Sequence, residues 1–248
     1  MNIDHVEIQQ LMRQMVDLGI ADNLKLWVHS GLVKTRTSGS DLYVPKAYDI
    51  SGEENDAAQT TNDNQPKLVS DGMQFDGSST FLNCGNDSSL NLSNNISMCA
   101  WIYNSDGPSN NRYLLGKWNY PANKRAYAIG IYMSVFKAYV GADGSSTNSK
   151  NYSLSASENV WNFCVATFAT NNLKMYVNAI EGAPHKITDG TVNSLYSTTE
   201  PLIIGAASTA PVNVMVGVSN DLRIYNKALS ATEISAIYNQ TKGFYGIT

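Results

Sequence analysis

The sequence predicts an all-β protein, a two-sheet antiparallel sandwich of jelly-roll type with one helix near each end of the chain. Apolar residues alternate with other residues at 24–28, 127–133 and 173–177, and this period of two is typical of strands. Segments 98–103 and 163–168 are apolar on both faces, which suits central strands that are covered on both sides. Intervening segments are rich in Gly, Asn, Ser, Asp and Thr, which favour turns. Many short strands with polar turns indicate a sandwich.

The two helices are predicted from separate patterns. Between Asp4 and Gly19, apolar residues recur at helical spacing, and glycine commonly follows a helix end. The later segment Ser230-Ala-Thr-Glu233 is a capping box, which begins a short C-terminal helix by satisfying backbone N–H groups. No change of composition divides the remaining chain. We therefore expect a helical segment over residues 1–23 and one β domain over residues 24–248.

The apolar stripe of the N-terminal helix needs a surface to cover it. A helix of about 16 residues is marginal in water unless its apolar face is buried. We expect the stripe to mediate homo-oligomerisation or attachment to a larger assembly, and methionine makes such a surface adaptable. The alternative is packing on the sandwich of the same chain. The stripe consists of Ile8, Leu11, Met12, Met15 and Val16.

Composition and motifs exclude several functional classes. The 248 residues carry a formal net charge of −4, which argues against a nucleic-acid-binding protein because such proteins present basic patches. No apolar stretch approaches the roughly 18 residues of a membrane-spanning helix. The three cysteines are too few and scattered for a disulfide framework, so we expect buried thiols. No secretory leader is visible at the N-terminus.

Catalytic motifs are also missing from the sequence. It contains neither a nucleophile elbow nor a phosphate-binding loop. A glycosidase needs a pair of carboxylates, and carboxylates that alternate along one strand would point into one groove. The acidic residues of this sequence show no such alternation. We therefore expect a protein that is not an enzyme.

Two aromatic residues are candidates for carbohydrate binding. Trp118 and Tyr120 fall in a segment that we expect to be a loop. An exposed aromatic ring can stack on the apolar face of a pyranose while polar groups bind its hydroxyls. The alternative is that both rings cover the edge of the sandwich or lie in a subunit contact.

The segment 217–238 carries a family resemblance. It reads Gly-Val-Ser-Asn-Asp-Leu-Arg-Ile-Tyr-Asn-Lys-Ala-Leu-Ser-Ala-Thr-Glu-Ile-Ser-Ala-Ile-Tyr and resembles the closing strand and helix of laminin-G-like domains of the concanavalin A-like lectin/glucanase superfamily. The resemblance implies a concanavalin A-like jelly roll. Enzymatic relatives carry a Glu-x-Asp-x-x-Glu strand that this sequence lacks, so the resemblance implies no hydrolase activity. Further similar segments, in the family's order, are 47–57, 72–77, 96–102, 113–117, 161–168, 173–178 and 201–205.

The same resemblance suggests a metal site. Some relatives bind Ca²⁺ at a rim loop through Asp, Asn and backbone oxygens, which are the hard ligands that this ion prefers. By position, the residues of such a site would be Asp49, Asn55, Asp56 and Asp221. The alternative is that these side chains stabilise turns by local hydrogen bonds. No cofactor is required by the expected fold.

Two functional hypotheses follow from the resemblance and the missing leader. The first is a non-enzymatic virion structural or decoration protein of a phage capsid, head fibre or tail. Such a protein is made in the host cytoplasm, and its lectin-like domain would bind glycans. The second is a bacterial carbohydrate-binding lectin or adhesin module that acts outside the cell or at its surface. A fold of this kind serves both functions, so the fold does not decide between them.

Overall fold

The structure is a computed structural model that describes residues 5–105 and 112–248. Its helices are α1 (His5–Asp17) and α2 (Ala231–Thr241), with 3-10 turns at Ala21–Asn23, Asn62–Asn64, Ser88–Leu90 and Lys242–Tyr245. The strands of the described residues are β1 (Leu24–Ser38), β2 (Asp41–Asp49), β3 (Ala57–Ala58), β4 (Lys67–Val69), β5 (Gly72–Asp76), β6 (Leu82–Asn83), β7 (Asn95–Tyr103), β8 (Arg112–Asn119), β9 (Lys124–Tyr132), β10 (Val135–Gly141), β11 (Ser149–Ser155), β12 (Trp161–Ala169), β13 (Asn172–Val177), β14 (Ile180–Glu181), β15 (His185–Asp189), β16 (Ile203–Ile204) and β17 (Val216–Tyr225).

These strands form two antiparallel layers, as the sequence predicts. The first layer has the order β14-β13-β12-β7-β17-β5-β4. The second has the order β3-β6-β16-β8-β9-β10-β11-β15. The hairpin β1–β2 joins the layers at one side, because β1 pairs with β17 while β2 pairs with both β3 and β4. The predicted all-β sandwich with two flanking helices is confirmed.

The main core lies between the layers and is built by the alternation of side chains along each strand. In β7, Ile96 and Met98 face this core, whereas Cys99 and Trp101 face outward into a second apolar cluster. A strand that is apolar on both faces therefore serves two cores, which explains the runs seen in the sequence. The three cysteines are buried and unpaired, so the predicted buried thiols are confirmed.

Helix α1 packs on the outer face of the first layer. Ile8, Leu11 and Met15 are buried there, in a cluster with the indole rings of Trp27 and Trp101. This packing corrects the expectation that the stripe docks on another subunit. The outer face of the layer carries large apolar side chains of its own, and covering them with the helix buries both surfaces. Met12 is half-buried and packs against the edge of this cluster, whereas Val16 is 61% exposed and takes no part in it.

The end of α1 is fixed by a backbone motif. Gly19 adopts a φ of +67°, and its N–H donates to the carbonyl of Val16. The N–H of Ile20 donates to the carbonyl of Met15, and both side chains are buried. This is a Schellman motif, which turns the chain toward β1 at Leu24. Residues 1–4 of the predicted helical segment lie outside the described residues.

Helix α2 covers the same outer face from the other end of the chain. The predicted capping box is present, with Ser230 accepting from the N–H of Glu233 and the carboxylate of Glu233 accepting from the N–H of Ser230. Ile234 and Ile237 are buried in the second cluster beside α1. Within the described residues, no helix is long and apolar enough to span a membrane.

Candidate functional site

A polar groove of about 600 Å³ lies at the edge of the sandwich, where the hairpin β1–β2 lies alongside β4 and β5. Its volume falls within the range of about 300–1,000 Å³ that is usual for ligand pockets. We call it the hairpin groove. Its lining residues are Arg36, Ser38, Tyr43, Asn62, Asp63, Gln65, Lys67, Gln74, Asp76 and Thr80.

The floor of the hairpin groove is a single row of side chains across four strands. Arg36 of β1 lies opposite Tyr43 of β2, Tyr43 lies opposite Lys67 of β4, and Lys67 lies opposite Gln74 of β5. Directly opposite residues of antiparallel strands project to the same face, so these four side chains form one continuous surface. The register follows from the tight turn at Gly39, whose φ is +61°.

The Arg36 guanidinium is held in place at one end of the row. Its Nε donates to Oε1 of Gln65 at 2.8 Å, and its Nη2 donates to the carbonyl of Asn62 at 3.3 Å. Gln65 is itself buried and donates to the carbonyl of Gln59. The guanidinium carbon lies 4.9 Å from the centre of the Tyr43 ring, which is a cation–π contact. The groove therefore presents a fixed donor beside an aromatic ring.

Three carboxylates lie in the groove or beside it. Lys67 forms an ion pair with Asp41 at 2.8 Å, and this hydrogen bond raises the pKa of the lysine. Asp76 accepts hydrogen bonds from the N–H groups of a following turn that ends at Thr80. Partial burial alone would raise the pKa of Asp76, but these bonds hold that pKa well below its usual range. The carboxylate of Asp63 is exposed at the rim and accepts no hydrogen bond from the described residues.

This combination suits the recognition of a polyhydroxylated ligand. The groove holds fixed N–H donors, carboxylate and amide acceptors, and one aromatic ring. Pyranose sugars need these groups, since their hydroxyls both donate and accept while one ring face is apolar. Among the described residues, no group of three His, Cys, Asp or Glu side chains is arranged to hold a metal ion.

The predicted sugar-stacking residues lie elsewhere, on the outer face of the second layer. Trp118 belongs to strand β8 and is 5% exposed, so the expectation that it lies in an exposed loop is wrong. Its ring centre is 5.2 Å from that of Tyr139 and 6.5 Å from that of Tyr113, and this aromatic cluster buries it. Tyr120 does lie in the following turn and is half-buried. A sugar contact at Tyr120 stays a prediction.

Three of the predicted calcium ligands form a hydrogen-bonded loop. Both carboxylate oxygens of Asp49 accept hydrogen bonds from neighbouring N–H and hydroxyl groups, including the N–H of Asn55. One oxygen of Asp56 accepts from the N–H of Asp49, and the other pairs with Lys46 at 2.7 Å. The side-chain amide of Asn55 donates to the carbonyl of Lys25 and to a serine hydroxyl. Every carboxylate oxygen of Asp49 and Asp56 therefore already has a partner, which favours the turn-stabilising role.

The fourth predicted ligand, Asp221, is not part of that loop. Its carboxylate forms two hydrogen bonds with the Arg223 guanidinium, at 2.7 and 2.8 Å, and a third with Nε1 of Trp27 at 2.7 Å. Burial disfavours the charged form, but Arg223 holds the pKa of Asp221 below its ordinary value. Both partners are buried, since a charge in the interior requires such a counter-ion. The expected set of four ligands is therefore not assembled.

Sequence reasoning did not find the hairpin groove. Its residues are spread from Arg36 to Thr80 and share no local motif, because the register of four strands brings them together. One signal was available, namely Ser38-Gly39-Ser40 between two alternating segments, which predicts a hairpin turn.

The family of the chain follows from a sequence comparison. A family profile, that of a laminin-G domain described as "Concanavalin A-like lectin/glucanases superfamily", matches residues 76–235. The chain belongs to this superfamily. Only the last part of the hairpin groove, from Asp76 onward, falls inside the matched segment. No match was found among curated proteins.

Solved structures of the same fold include several toxin binding domains. The binding domain of Paraclostridial Mosquitocidal Protein 1 superposes with a TM-score of 0.63 at 14% identity, covering 92% of this chain and 56% of that one. The ligand-binding domain of botulinum neurotoxin serotype D, in complex with N-acetylneuraminic acid, superposes with a TM-score of 0.62 at 16% identity. The match covers 90% of this chain and 52% of that one. The binding domain of botulinum neurotoxin serotype G superposes with a TM-score of 0.60 at 15% identity, and the match covers 91% of this chain and 54% of that one. The chain thus spans about half the length of these structures, and the similarity shows the fold.

Proposed function

We propose that this protein is a non-enzymatic carbohydrate-binding module and that the hairpin groove is its binding site. The observation that carries the proposal is the row from Arg36 to Gln74, which places a guanidinium, an aromatic ring, an ammonium group and an amide in that order on one open surface. Gln65 fixes the guanidinium before any ligand arrives, so little conformational entropy is lost on binding.

The comparisons support the proposal at the level of the superfamily. The neurotoxin serotype D domain has the same fold and is in complex with a sugar acid. A fold hosts many functions, so the assignment to this chain depends on its own groove. The absence of a glycosidase-like carboxylate strand in the sequence agrees with binding without hydrolysis.

A glycan array with two tyrosine variants tests the site. Tyr43→Ala removes the ring from the floor of the groove, and we expect the affinity for the best glycan to fall at least about tenfold, which corresponds to 1.4 kcal/mol. Tyr48→Ala is the matched control, since Tyr48 lies on the same strand β2, is 42% exposed and does not line the groove. Its binding should be unchanged.

The array also separates the remaining outcomes. Wild-type protein that binds no glycan on a broad array would contradict the proposed function. Binding that survives Tyr43→Ala but is lost in Tyr120→Ala would move the site to the turn after β8. Release of reducing sugar from the bound polysaccharide would contradict the non-enzymatic assignment.

The cellular setting of the module is a separate proposal. We propose that it is a virion structural or decoration protein, and this rests on the sequence resemblance alone. Because α1 covers the sandwich of its own chain, the helix no longer supports attachment through the stripe, and only Met12 and Val16 are left for such a contact. Mass spectrometry of purified particles tests the virion setting, and light scattering tests homo-oligomerisation. Detection only at a cell surface or in culture medium would favour a bacterial lectin or adhesin.

A further inference from the structure

We infer that the hairpin groove selects neutral sugars and discriminates against acidic ones. This inference rests on the proposed function and adds the class of ligand to it. Two features of the groove support it, namely the balance of charges around the groove and the polar groups there that lack a partner.

The charge balance is slightly negative. The groove and the ion pair at its floor contain two cationic side chains, Arg36 and Lys67, and three carboxylates, those of Asp41, Asp63 and Asp76. Asp41 neutralises Lys67 directly, at 2.8 Å. Arg36 is therefore the only cation of the groove without a carboxylate partner among the described residues, and the carboxylates of Asp63 and Asp76 line the same groove. A sugar acid would add a further negative charge to this surface. Repulsion between like charges would then weaken its binding relative to that of a neutral sugar.

The groups without partners point to the same class of ligand. In the part of the chain that the structure describes, Nη1 of Arg36 donates to no group and the carboxylate of Asp63 accepts from none. A sugar hydroxyl satisfies either group, because it accepts from the guanidinium and donates to the carboxylate. A sugar carboxylate satisfies Arg36 alone, because it has no proton to offer Asp63. A neutral sugar therefore satisfies both groups through its hydroxyls without adding a negative charge beside Asp63.

Paired glycans test this inference. Full-length protein is titrated with neutral oligosaccharides and with the same oligosaccharides capped by N-acetylneuraminic acid or by a uronic acid, at low and at physiological salt. We expect the neutral member of each pair to bind at least about tenfold more tightly, with a ratio that shrinks as salt screens the repulsion.

Two charge-neutralising variants show whether the groove sets this ratio. Asp63→Asn should improve binding of the acidic member and narrow the ratio several-fold. Asp17→Asn, at the exposed end of α1, makes the same change of net charge away from the groove and should leave the ratio as in wild type. Asp63 lies on an exposed 3-10 turn, so its variant should keep the wild-type melting temperature.

The possible results are distinguishable. A wild-type preference for acidic glycans would overturn this inference while leaving the carbohydrate-binding proposal intact. A ratio that does not respond to Asp63→Asn, or that responds equally to Asp17→Asn, would also overturn it. Failure to bind any member of any pair would overturn the proposed function together with the inference.

Discussion

Replacing Met15 tests whether α1 belongs to the sandwich. Met15 is fully buried between the helix and the first layer, and its sulfur accepts contacts from Nη1 of Arg223 at 3.5 Å and from the hydroxyl of Tyr225 at 3.3 Å. In Met15→Ala the cavity costs about 2–5 kcal/mol. The helix can settle partly into the space, which lowers this cost. Arg223 and Tyr225 also lose a weak acceptor, which raises it. We expect a loss of about 3 kcal/mol in the free energy of unfolding.

That loss is large enough to measure by thermal unfolding. In a chain of this size, 1 kcal/mol shifts the melting temperature by about 2–4 °C, so Met15→Ala should melt about 6–12 °C lower. Urea unfolding at fixed protein concentration gives the free energy independently. The shift should not depend on protein concentration, because the lost contacts lie within one chain.

The next residue in the sequence supplies the control. Val16 is 61% exposed, so Val16→Ala should change stability by no more than about 0.5 kcal/mol. Equal melting temperatures for the two variants, together with a smaller particle mass for Met15→Ala, would refute the packing described here. That result would indicate that the apolar stripe of α1 forms a contact between subunits. Deleting residues 1–20 should likewise destabilise the monomer, since it exposes the apolar outer face of the first layer.

Three further predictions concern charges and metal. Asp221→Asn leaves a buried guanidinium without its counter-ion, and we expect urea unfolding to show a loss of about 3–5 kcal/mol with glycan binding retained, because the pair lies away from the groove. The lowered pKa of Asp76 means that its hydrogen bonds stabilise the fold above the ordinary carboxyl pKa near 4 and lose this effect as the pH falls below it. The stability difference between wild type and Asp76→Asn should therefore shrink between pH 5 and pH 2. Because the oxygens of Asp49 already accept hydrogen bonds, millimolar Ca²⁺ or EDTA should leave the melting temperature unchanged. A melting temperature that rises with added Ca²⁺ would instead support a calcium site at the rim loop.

The sequence was sufficient to predict most of the fold. Strands β7 and β12 were recognisable because they are apolar on both faces, and the structure pairs them along their full length from Asn95–Ala169 to Tyr103–Trp161. The capping box at Ser230 was equally informative, since it depends on only four residues in a row. Such local patterns are visible in a single sequence because their physical causes are local.

The candidate site was not predictable for the opposite reason. Arg36, Tyr43, Lys67 and Gln74 become neighbours only through strand register, which no local pattern specifies. Trp118 illustrates the same limit, because turn-forming residues follow it closely, yet β8 continues to Asn119 before the chain turns. Burial among aromatic rings from other strands decided its position, and those contacts are distant in sequence.

The packing of the two outer faces of the sandwich favours its edge as the place for the proposed binding site. The outer face of the first layer is sealed by α1 and α2, whose contacts include the ring of Trp101. On the second layer, Tyr113, Trp118 and Tyr139 pack on one another and leave little of their rings exposed. Residues that seal a face contribute to folding and are not free to contact a ligand. The hairpin β1–β2 lies at the edge of the sandwich beside β4, and its outer half has half-exposed and exposed side chains along most of its length. Substitutions at these exposed positions disturb neither core, so a binding site proposed at this edge can vary independently of the fold.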